Sequence, residues 1–349
     1  MKGMMRFGCL VKRRQAEIRE IPLPSVGEHQ VLVKQLVCNI CTADYGQWLG
    51  AREHQGYPAA CGHEAAGVII EKGGKVLELE LGDLVAVANN YCGECTPCRE
   101  GRQSECTIRS SFDDYGDGYK GRMGFANYCV RNVTTVVKMN RELDPREAAF
   151  LEPIATVVKG IRKLRLTGLQ TVVVIGGGTM GILNAQVARA YGARVMVSEM
   201  MPNKLKIAKD MGFLTINAGE ADPVDTVMKL TDGRGVDAVV TAVSTAKANN
   251  QAKEMLKKMD GKLLVFAASY PSPEIGVTAN DIHYRRLEII GTYLGDARDF
   301  LDAALLLNTR CVQVDKLIEN TYPLEQIQEA FVEAATPGKY RVSVRLHKD

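Results

Sequence analysis

The sequence has no apolar run that approaches the length needed to cross a membrane, and its N-terminus lacks the continuous apolar region of a signal peptide. The first absence excludes a membrane-spanning helix, and the second gives no reason to expect secretion. We therefore expect a cytoplasmic protein without a membrane partner.

An excess of charge of one sign is also missing. The 44 Lys and Arg residues and the 41 Asp and Glu residues leave a net charge of +3, and the densest basic cluster is Lys12, Arg13 and Arg14. Nucleic-acid binding usually needs a longer basic run or a basic patch, so we expect no nucleic-acid partner. The cluster is more typical of the solvent-exposed face of a hairpin.

Cysteine, by contrast, is abundant. The chain has 349 residues, enough for about two domains, and ten of them are cysteines. Because disulfides are rare in the cytoplasm, this number of cysteines indicates metal ligands before disulfides.

The segment from residue 92 to residue 106 is the strongest local signal. Cys92, Cys95 and Cys98 are separated by two residues each, and Cys106 follows after seven. Four thiolates on one short polar loop match the closed tetrahedral shell of structural zinc. An iron–sulfur cluster and four reduced cysteines without a metal are the alternatives.

The segment from Thr171 to Glu199 predicts a dinucleotide-binding unit. A buried-strand pattern leads into Gly176, Gly178 and Gly181, the glycines of G-x-G-x-x-G, and a helix and a second strand follow. We expect the amides that open this helix, at Thr179, Met180 and Gly181, to face a pyrophosphate. Alternatively, the glycines mark an ordinary turn.

Glu199 stands directly after the second strand of this unit. A carboxylate at that place can accept hydrogen bonds from both ribose hydroxyls of an adenosine, and it would repel a 2′-phosphate. The position therefore favours NAD over NADP. Lys204 could lie near a 2′-phosphate, which keeps an NADPH-dependent reductase as an alternative, and Glu199 could also be a solvated loop acid.

Strand and helix patterns alternate from Thr171 to about Gly291, which predicts a doubly wound parallel sheet. The segment from residue 144 to 149 reads as a helix start capped by Asp144. In the last part of the chain we expect helices at 297–307 and 324–335 and a final strand at 340–346. This tail is too short for a domain of its own, and we expect it to pack on the N-terminal one.

Taken in order, Cys41, Gly62-His63-Glu64, the four-cysteine loop, Leu151-Glu152-Pro153 and G-x-G-x-x-G resemble the zinc-containing medium-chain dehydrogenases. Within this family the chain is most similar to the polyol (sorbitol) and threonine dehydrogenase branch. The resemblance implies an α/β fold in which a GroES-like catalytic domain, 1–153, is interrupted by a Rossmann domain, 154–291. Residues 292–349 would return to the catalytic domain, and the active site would lie in the cleft between the two.

The resemblance also implies the ligands and the chemistry. Cys41, His63, Glu64 and Glu152 match the residues that bind the catalytic zinc or hold its water, and Asp44 matches the acid that orients the histidine. The resemblance further implies two zinc ions per subunit, NAD as the cofactor, a small alcohol or ketone as the substrate, and a homodimer or homotetramer. The other cysteines are expected to be small apolar packing residues: Cys9, Cys38, Cys61, Cys129 and Cys311.

One departure from the family lies beside Cys41. The family usually relays the alcohol proton through a hydroxyl and a histidine at positions that are Ala43 and Gly46 here. We therefore expect the proton to leave through Glu64 or Glu152 and a zinc-held water, with Thr42, Tyr45 or His54 as less favoured routes.

The two small residues could also widen the site for a bulkier alicyclic or steroid-type alcohol. Aromatic residues that would line such a site are Trp48, Phe112, Tyr115 and Tyr119. A polyol or amino alcohol is the default substrate, and a non-catalytic NAD-binding sensor is the alternative outside the enzymes.

Overall fold

The computed structural model of the chain describes residues 3–109 and 118–348, so Phe112 and Tyr115 lie outside the described residues. The chain divides into two compact units. The first comprises the residues up to Ala155 together with those from Gly295 onward, and the second runs from Thr156 to Leu294. The domain bounds implied by the resemblance, 1–153, 154–291 and 292–349, stay a prediction.

The first unit is built mainly from β-strands. A seven-stranded sheet has the order β14-β15-β3-β4-β5-β7, with β6 paired to β3, and β1 and β2 form a separate antiparallel hairpin. Its strands are Met4–Lys12 (β1), Gln15–Pro22 (β2), Gln30–Asn39 (β3), Glu64–Lys72 (β4), Leu84–Val87 (β5), Tyr128–Asn132 (β6), Val136–Lys138 (β7), Ile318–Pro323 (β14) and Arg341–Arg345 (β15).

Helices connect these strands. Asp144 caps α3 as the sequence predicts, because its side chain accepts a hydrogen bond from the amide of Arg146. The helices of this unit are Thr42–Leu49 (α1), Thr96–Arg99 (α2), Pro145–Ala148 (α3), Ala297–Asn308 (α10) and Ile327–Ala334 (α11), and α4, Leu151–Leu164, continues into the second unit.

A hydrophobic core lies where the first part of the chain meets the last. Trp48 stacks on Phe331 at 6.2 Å between ring centroids, and Phe125 meets Phe331 edge-on at 5.8 Å. These three side chains are almost fully buried. The C-terminal segment therefore packs into the core of the N-terminal one, as expected for a tail without a core of its own.

The second unit is a six-stranded parallel sheet of order β10-β9-β8-β11-β12-β13. This order reverses at β8, the first strand of this unit along the chain, which confirms the predicted doubly wound sheet. Its strands are Thr171–Ile175 (β8), Arg194–Glu199 (β9), Leu214–Asn217 (β10), Ala238–Thr241 (β11), Lys262–Val265 (β12) and Glu288–Gly291 (β13). Its helices are Thr179–Ala190 (α5), Pro202–Asp210 (α6), Pro223–Leu230 (α7), Ala246–Met255 (α8) and Ala279–Arg285 (α9).

One helix of this unit ends earlier than its pattern predicts. The apolar spacing predicts a helix from Ala246 to Met259, but α8 ends at Met255. Leu256 leaves the helix to form a parallel bridge with Val236, and the amide of Lys257 donates to the carbonyl of Val236. A pairing with a distant segment has replaced the last turn of the helix.

The chain leaves the first unit and returns to it at neighbouring points. A Cβ atom on Gly295 would lie 3.1 Å from the Cβ of Ala155, so the residues that bracket the second unit are in contact. Among residues 3–109 and 118–348, no helix has the length and apolar character needed to cross a membrane.

Candidate functional site

Three of the predicted catalytic ligands lie together in the first unit. The ligand atoms of Cys41, His63 and Glu64 all fall within 4.8 Å of one another. Cys41 is the N-cap of α1, and Glu64 is the first residue of β4. A helix start and a strand start, which are 23 residues apart in sequence, thus bring a thiol, an imidazole and a carboxylate to one point.

Asp44 holds this cluster in place. Its carboxylate accepts hydrogen bonds from the amides of Cys41, at 3.0 Å, and of Gly62, at 3.1 Å, and lies 3.4 Å from Nδ1 of His63. Burial alone would raise the pKa of Asp44, but His63 and the two amides outweigh it and lower the pKa. Asp44 therefore stays ionised and fixes the ring of His63 through Nδ1.

The pKa of His63 moves the other way. Burial alone would lower it, but the charges of Asp44 and Cys41 are stronger and raise the pKa well above its ordinary value. The surroundings of His63 therefore favour a positive charge on its ring, because Asp44 and Cys41 lie beside it.

The backbone conformation at position 62 requires glycine. Its φ is +87°, and a Cβ there would lie 2.8 Å from the amide nitrogen of Phe125. Both observations exclude a side chain at this position. The segment before His63 can therefore lie directly against the segment at Phe125.

Glu64 forms a buried ion pair with Arg341. Nε of Arg341 donates to Oε2 of Glu64 at 2.8 Å, and Nη2 donates to Oε1 at 2.7 Å. Nη2 also lies 3.7 Å from Sγ of Cys41. Burial raises the pKa of Glu64 even though Arg341 opposes that shift. Sequence reasoning missed Arg341, because it lies 277 residues from Glu64 in a strand whose alternation predicts an exposed side chain.

Glu152 lies near this cluster but outside the group of three. It is buried in the first turn of α4, and its charge is close enough to raise the pKa of Glu64. The roles of Glu64 and Glu152 as direct ligands stay predictions. Ala43 and Gly46 both lie on α1, and the side chain of Arg52 lies 3.8 Å from where a Cβ on Gly46 would be.

The four-cysteine loop forms a second metal-competent cluster, with all four sulfur atoms within 4.8 Å of one another. The amides of Glu94 and Cys95 donate to Sγ of Cys92 at 3.4 and 3.3 Å. Amide hydrogen bonds lower the pKa of Cys95 to about 6, whereas burial raises that of Cys98 to about 12. Four converging sulfurs with amide donors suit a closed tetrahedral zinc shell.

This loop also contacts the segment where the chain re-enters the first unit. The amide of Ser104 donates to the side chain of Asp296 at 2.8 Å, and the amide of Ala297 donates to the side chain of Gln103 at 3.3 Å. Asp296 is the N-cap of α10. The loop therefore fixes the start of α10.

In the second unit, the glycine-rich turn joins β8 to α5. Gly176 has a φ of +105°, and a Cβ on Gly181 would lie 1.8 Å from the carbonyl oxygen of Gly176. A side chain at Gly181 would therefore push α5 away from β8. Gly178 is the N-cap of α5 and has no side chain to cap the helix.

Glu199, at the end of β9, faces this turn. Its Oε2 accepts from the amide of Gly177 at 2.6 Å, and its Oε1 accepts from the amides of Met200 and Met201 at 2.6 and 2.9 Å. Lys204 Nζ lies 3.7 Å from where a Cβ on Gly178 would be. The carboxylate of Glu199 and the amino group of Lys204 thus both lie at the turn.

The remaining cysteines divide into two kinds. Cys9, Cys38, Cys61 and Cys129 are buried, as expected for packing residues. Cys311 is exposed, so its assignment to the core is wrong. It follows the end of α10, where the chain turns at the surface.

Family models match both units of the chain. Residues 27–141 match the alcohol dehydrogenase GroES-like domain, and residues 179–309 match the zinc-binding dehydrogenase model. These matches bear out the predicted combination of a GroES-like domain with a Rossmann-type parallel sheet.

Individual proteins are similar over nearly the full length. Sorbitol dehydrogenase of Halalkalibacterium halodurans is 29% identical over 90% of this chain and 91% of its own. L-threonine 3-dehydrogenase of Thermococcus kodakarensis is 30% identical over 93% of each chain. A solved structure described as a candidate zinc-binding dehydrogenase of Sinorhizobium meliloti 1021, bound to NADP, has a TM-score of 0.87 with 26% identity, covering 98% of this chain and 99% of its own.

Proposed function

The chain belongs to the zinc-containing medium-chain dehydrogenases and is an oxidoreductase acting on the CH–OH group of donors, and we propose that it exchanges a hydride reversibly between a secondary alcohol and NAD. The substrate we propose is a polyol or an amino alcohol. The observation that carries the proposal is the convergence of Cys41, His63 and Glu64 within 4.8 Å.

The donor set fits zinc. A thiol, an imidazole and a carboxylate are the ligand types that catalytic zinc uses, and Glu152 lies near them. Zinc bound there would supply a Lewis acid for the alcohol or ketone oxygen, and NAD would accept or return the hydride. The four cysteines of the loop 92–106 would hold a second, structural zinc.

The residues of the chain would do the positioning. Asp44 anchors Nδ1 of His63, which leaves Nε2 of His63 for the metal. Arg341 occupies both oxygens of Glu64 and contacts the sulfur of Cys41, so it fixes two of the ligand side chains at once. In this proposal Glu64 and Arg341 set the charge and orientation of the site.

Glu152 would then carry the proton. Ala43 and Gly46 provide neither a hydroxyl nor an imidazole, and Glu64 is held by Arg341. Glu152 forms no ion pair with any residue of 3–109 or 118–348, and it lies close to Glu64. Replacement of Glu152 by Gln keeps the shape and removes the base, so it should lower kcat by about 10²- to 10⁴-fold.

NAD is the proposed cofactor because a carboxylate, Glu199, stands at the glycine-rich turn. NADP is the second candidate, since Lys204 lies beside Gly178 and the similar Sinorhizobium structure contains NADP. The ratio of kcat/KM for the two cofactors separates them. A Glu199→Gln variant should reduce the preference for NAD, and a wild-type preference for NADP would contradict the proposal.

The structure gives less support to a bulkier alcohol. Trp48 stacks on Phe331, and Tyr119 packs edge-on against Phe7 at 5.2 Å between ring centroids. Both aromatic side chains therefore already have packing roles. The polyol or amino-alcohol class remains the proposal, together with a cytoplasmic location and a homodimer or homotetramer.

The first experiment measures zinc per subunit and NADH formation across polyols, amino alcohols and bulky secondary alcohols. The proposal expects two zinc ions, turnover of a polyol or amino alcohol, and loss of that turnover in Glu152→Gln with zinc retained. NAD binding without turnover of any of the alcohols would instead support the sensor.

A further inference from the structure

The first unit contains a cavity of about 510 Å³ that the proposed chemistry does not use. It is bounded by β3, the start of α3, β14 and the residues that follow β15, and none of its lining residues is a predicted metal ligand. Its charged or titratable lining side chains are Lys34, Asp144, Arg146, Arg345, His347 and Lys348. A volume of this size suits a small metabolite.

Positive charge dominates the lining, because four cations face one carboxylate. That carboxylate, Asp144, is already engaged, since both of its oxygens accept from the side chain of Arg146 and one caps α3. Lys348 lies 3.7 Å from Glu325, an acid that also pairs with Arg6. Within the part of the chain that the structure describes, Lys34 forms no ion pair. The cavity therefore has more positive charge than its own acids neutralise.

Apolar groups make up another part of the wall. Leu36, Val37 and Pro145 line the cavity beside the cations, and Thr321 adds a hydroxyl. A bare inorganic anion would leave this apolar surface in contact with water. A ligand with an anionic head and an apolar body would satisfy both parts of the lining.

We propose that this cavity binds a small organic phosphate monoester. Its dianionic head would lie against Lys34, Arg345 and Lys348, and its organic part against Leu36 and Val37. A phosphate monoester carries nearly two negative charges above pH 7, which matches the cationic excess better than a carboxylate does.

The test measures binding of phenyl phosphate, inorganic phosphate and benzoate by isothermal titration calorimetry at pH 7.5. The full-length zinc-loaded protein is used with and without saturating NADH, so that binding at the glycine-rich turn is distinguished. The test variant, Lys34→Met with Arg345→Met, is compared with a control, Lys75→Met with Arg298→Met, that removes two exposed cations elsewhere.

The proposal expects phenyl phosphate to bind more tightly than inorganic phosphate or benzoate. The test variant should weaken binding of phenyl phosphate at least about 10-fold, since it removes two charged hydrogen-bond donors from the cavity. The control should bind as the wild type does. If the test variant does not fold, the single change Arg345→Gln at an exposed position replaces it.

Three results would overturn the proposal. The first is an unchanged affinity for phenyl phosphate in the test variant or in Arg345→Gln. The second is tighter binding of benzoate than of phenyl phosphate. The third is a loss of affinity for phenyl phosphate in the control variant that equals the loss in the test variant. The third result would mean that the affinity for phenyl phosphate depends on the net charge of the protein and not on this cavity.

Discussion

Arg341 and Glu64 form a two-point ion pair in the interior of the first unit, with N–O distances of 2.8 and 2.7 Å. The pair joins β15, the last strand of the chain, to β4, which begins at the predicted metal centre. Both side chains are almost fully buried. Each charge is therefore tolerated in the interior because the other is present.

Replacement of Arg341 by Met should destabilise the protein by about 3–5 kcal/mol, because it leaves the carboxylate of Glu64 buried without its partner. Urea unfolding measures the change, and zinc content shows whether the cluster at Cys41 still binds metal. Arg298→Met, which removes an exposed ion pair with Asp302, is the control and should cost less than about 1 kcal/mol.

Adding Glu64→Gln to the Arg341→Met variant should recover part of the lost stability, since no unpaired charge then remains. If the double variant loses as much unfolding free energy as Arg341→Met and Glu64→Gln lose together, the two residues do not act as a pair.

The four-cysteine loop gives a second prediction. Replacement of Cys98 by Ser should remove one zinc per subunit and lower the thermal midpoint, because a structural zinc site contributes directly to folding. Cys311→Ser changes an exposed cysteine outside the loop and is the matched control. Zinc measured by mass spectrometry and thermal unfolding report the result. An unchanged zinc content in Cys98→Ser would exclude the loop as a metal site.

The glycine-rich turn gives a third prediction. An Ala side chain at position 181 would place its Cβ 1.8 Å from the carbonyl oxygen of Gly176, so α5 must move away from β8. We expect Gly181→Ala to weaken NAD binding at least about 10-fold and to cost about 1–3 kcal/mol of stability. Gly74→Ala, where a Cβ meets nothing within 4 Å, should leave both quantities unchanged. Fluorescence titration with NADH measures the binding.

The fourth prediction concerns pH. Lys138 and Arg141 lie within hydrogen-bonding distance of the buried carboxylate of Asp83, and although burial alone would raise its pKa, these partners lower it to about 2. A lowered pKa means that the ionised form stabilises the folded state. This stabilisation is present above the ordinary pKa of 3.8 and is lost as the pH falls toward 2.

Asp83→Asn should therefore reduce stability by about 1–2 kcal/mol at pH 7. The difference from wild type should shrink below about pH 4 and vanish near pH 2, as measured by urea unfolding across this range. Asp232→Asn, at an exposed acid, should show no such trend. A difference that stays constant down to pH 2 would mean that the effect of Asp83 does not depend on its charge.

The sequence predicts those parts of this molecule whose signal is local. The glycines at 176 and 181 meet backbone requirements that the neighbouring residues already indicate, and the cysteines from 92 to 106 lie on one loop. The exposed hairpin turn at Lys12, Arg13 and Arg14 is confirmed for the same reason. The short strand Leu214–Asn217 is not predicted, because an alternation of apolar and polar residues over only four positions is too short to distinguish a strand from a loop.

Long-range partners could not be predicted in this way. In the segment from Arg341 to Arg345 polar and apolar residues alternate, a pattern that normally places the polar side chains in solvent. Arg341 is buried instead because an acid from β4 reaches it, whereas Arg345 on the same strand is exposed. The pattern of a single strand contains no information about the charge that another strand will bring.

The contact between Ala155 and Gly295 has a consequence for how such a chain can change. The whole segment from Thr156 to Leu294 starts and finishes beside one spot on the first unit, so removing it would leave two ends that a short glycine linker could rejoin. Excision would divide helix α4, but it would break no strand of the seven-stranded sheet, because all of its strands lie outside the segment. The second unit is therefore an insertion within the chain of the first, and its length can change without altering the order of the strands in the seven-stranded sheet.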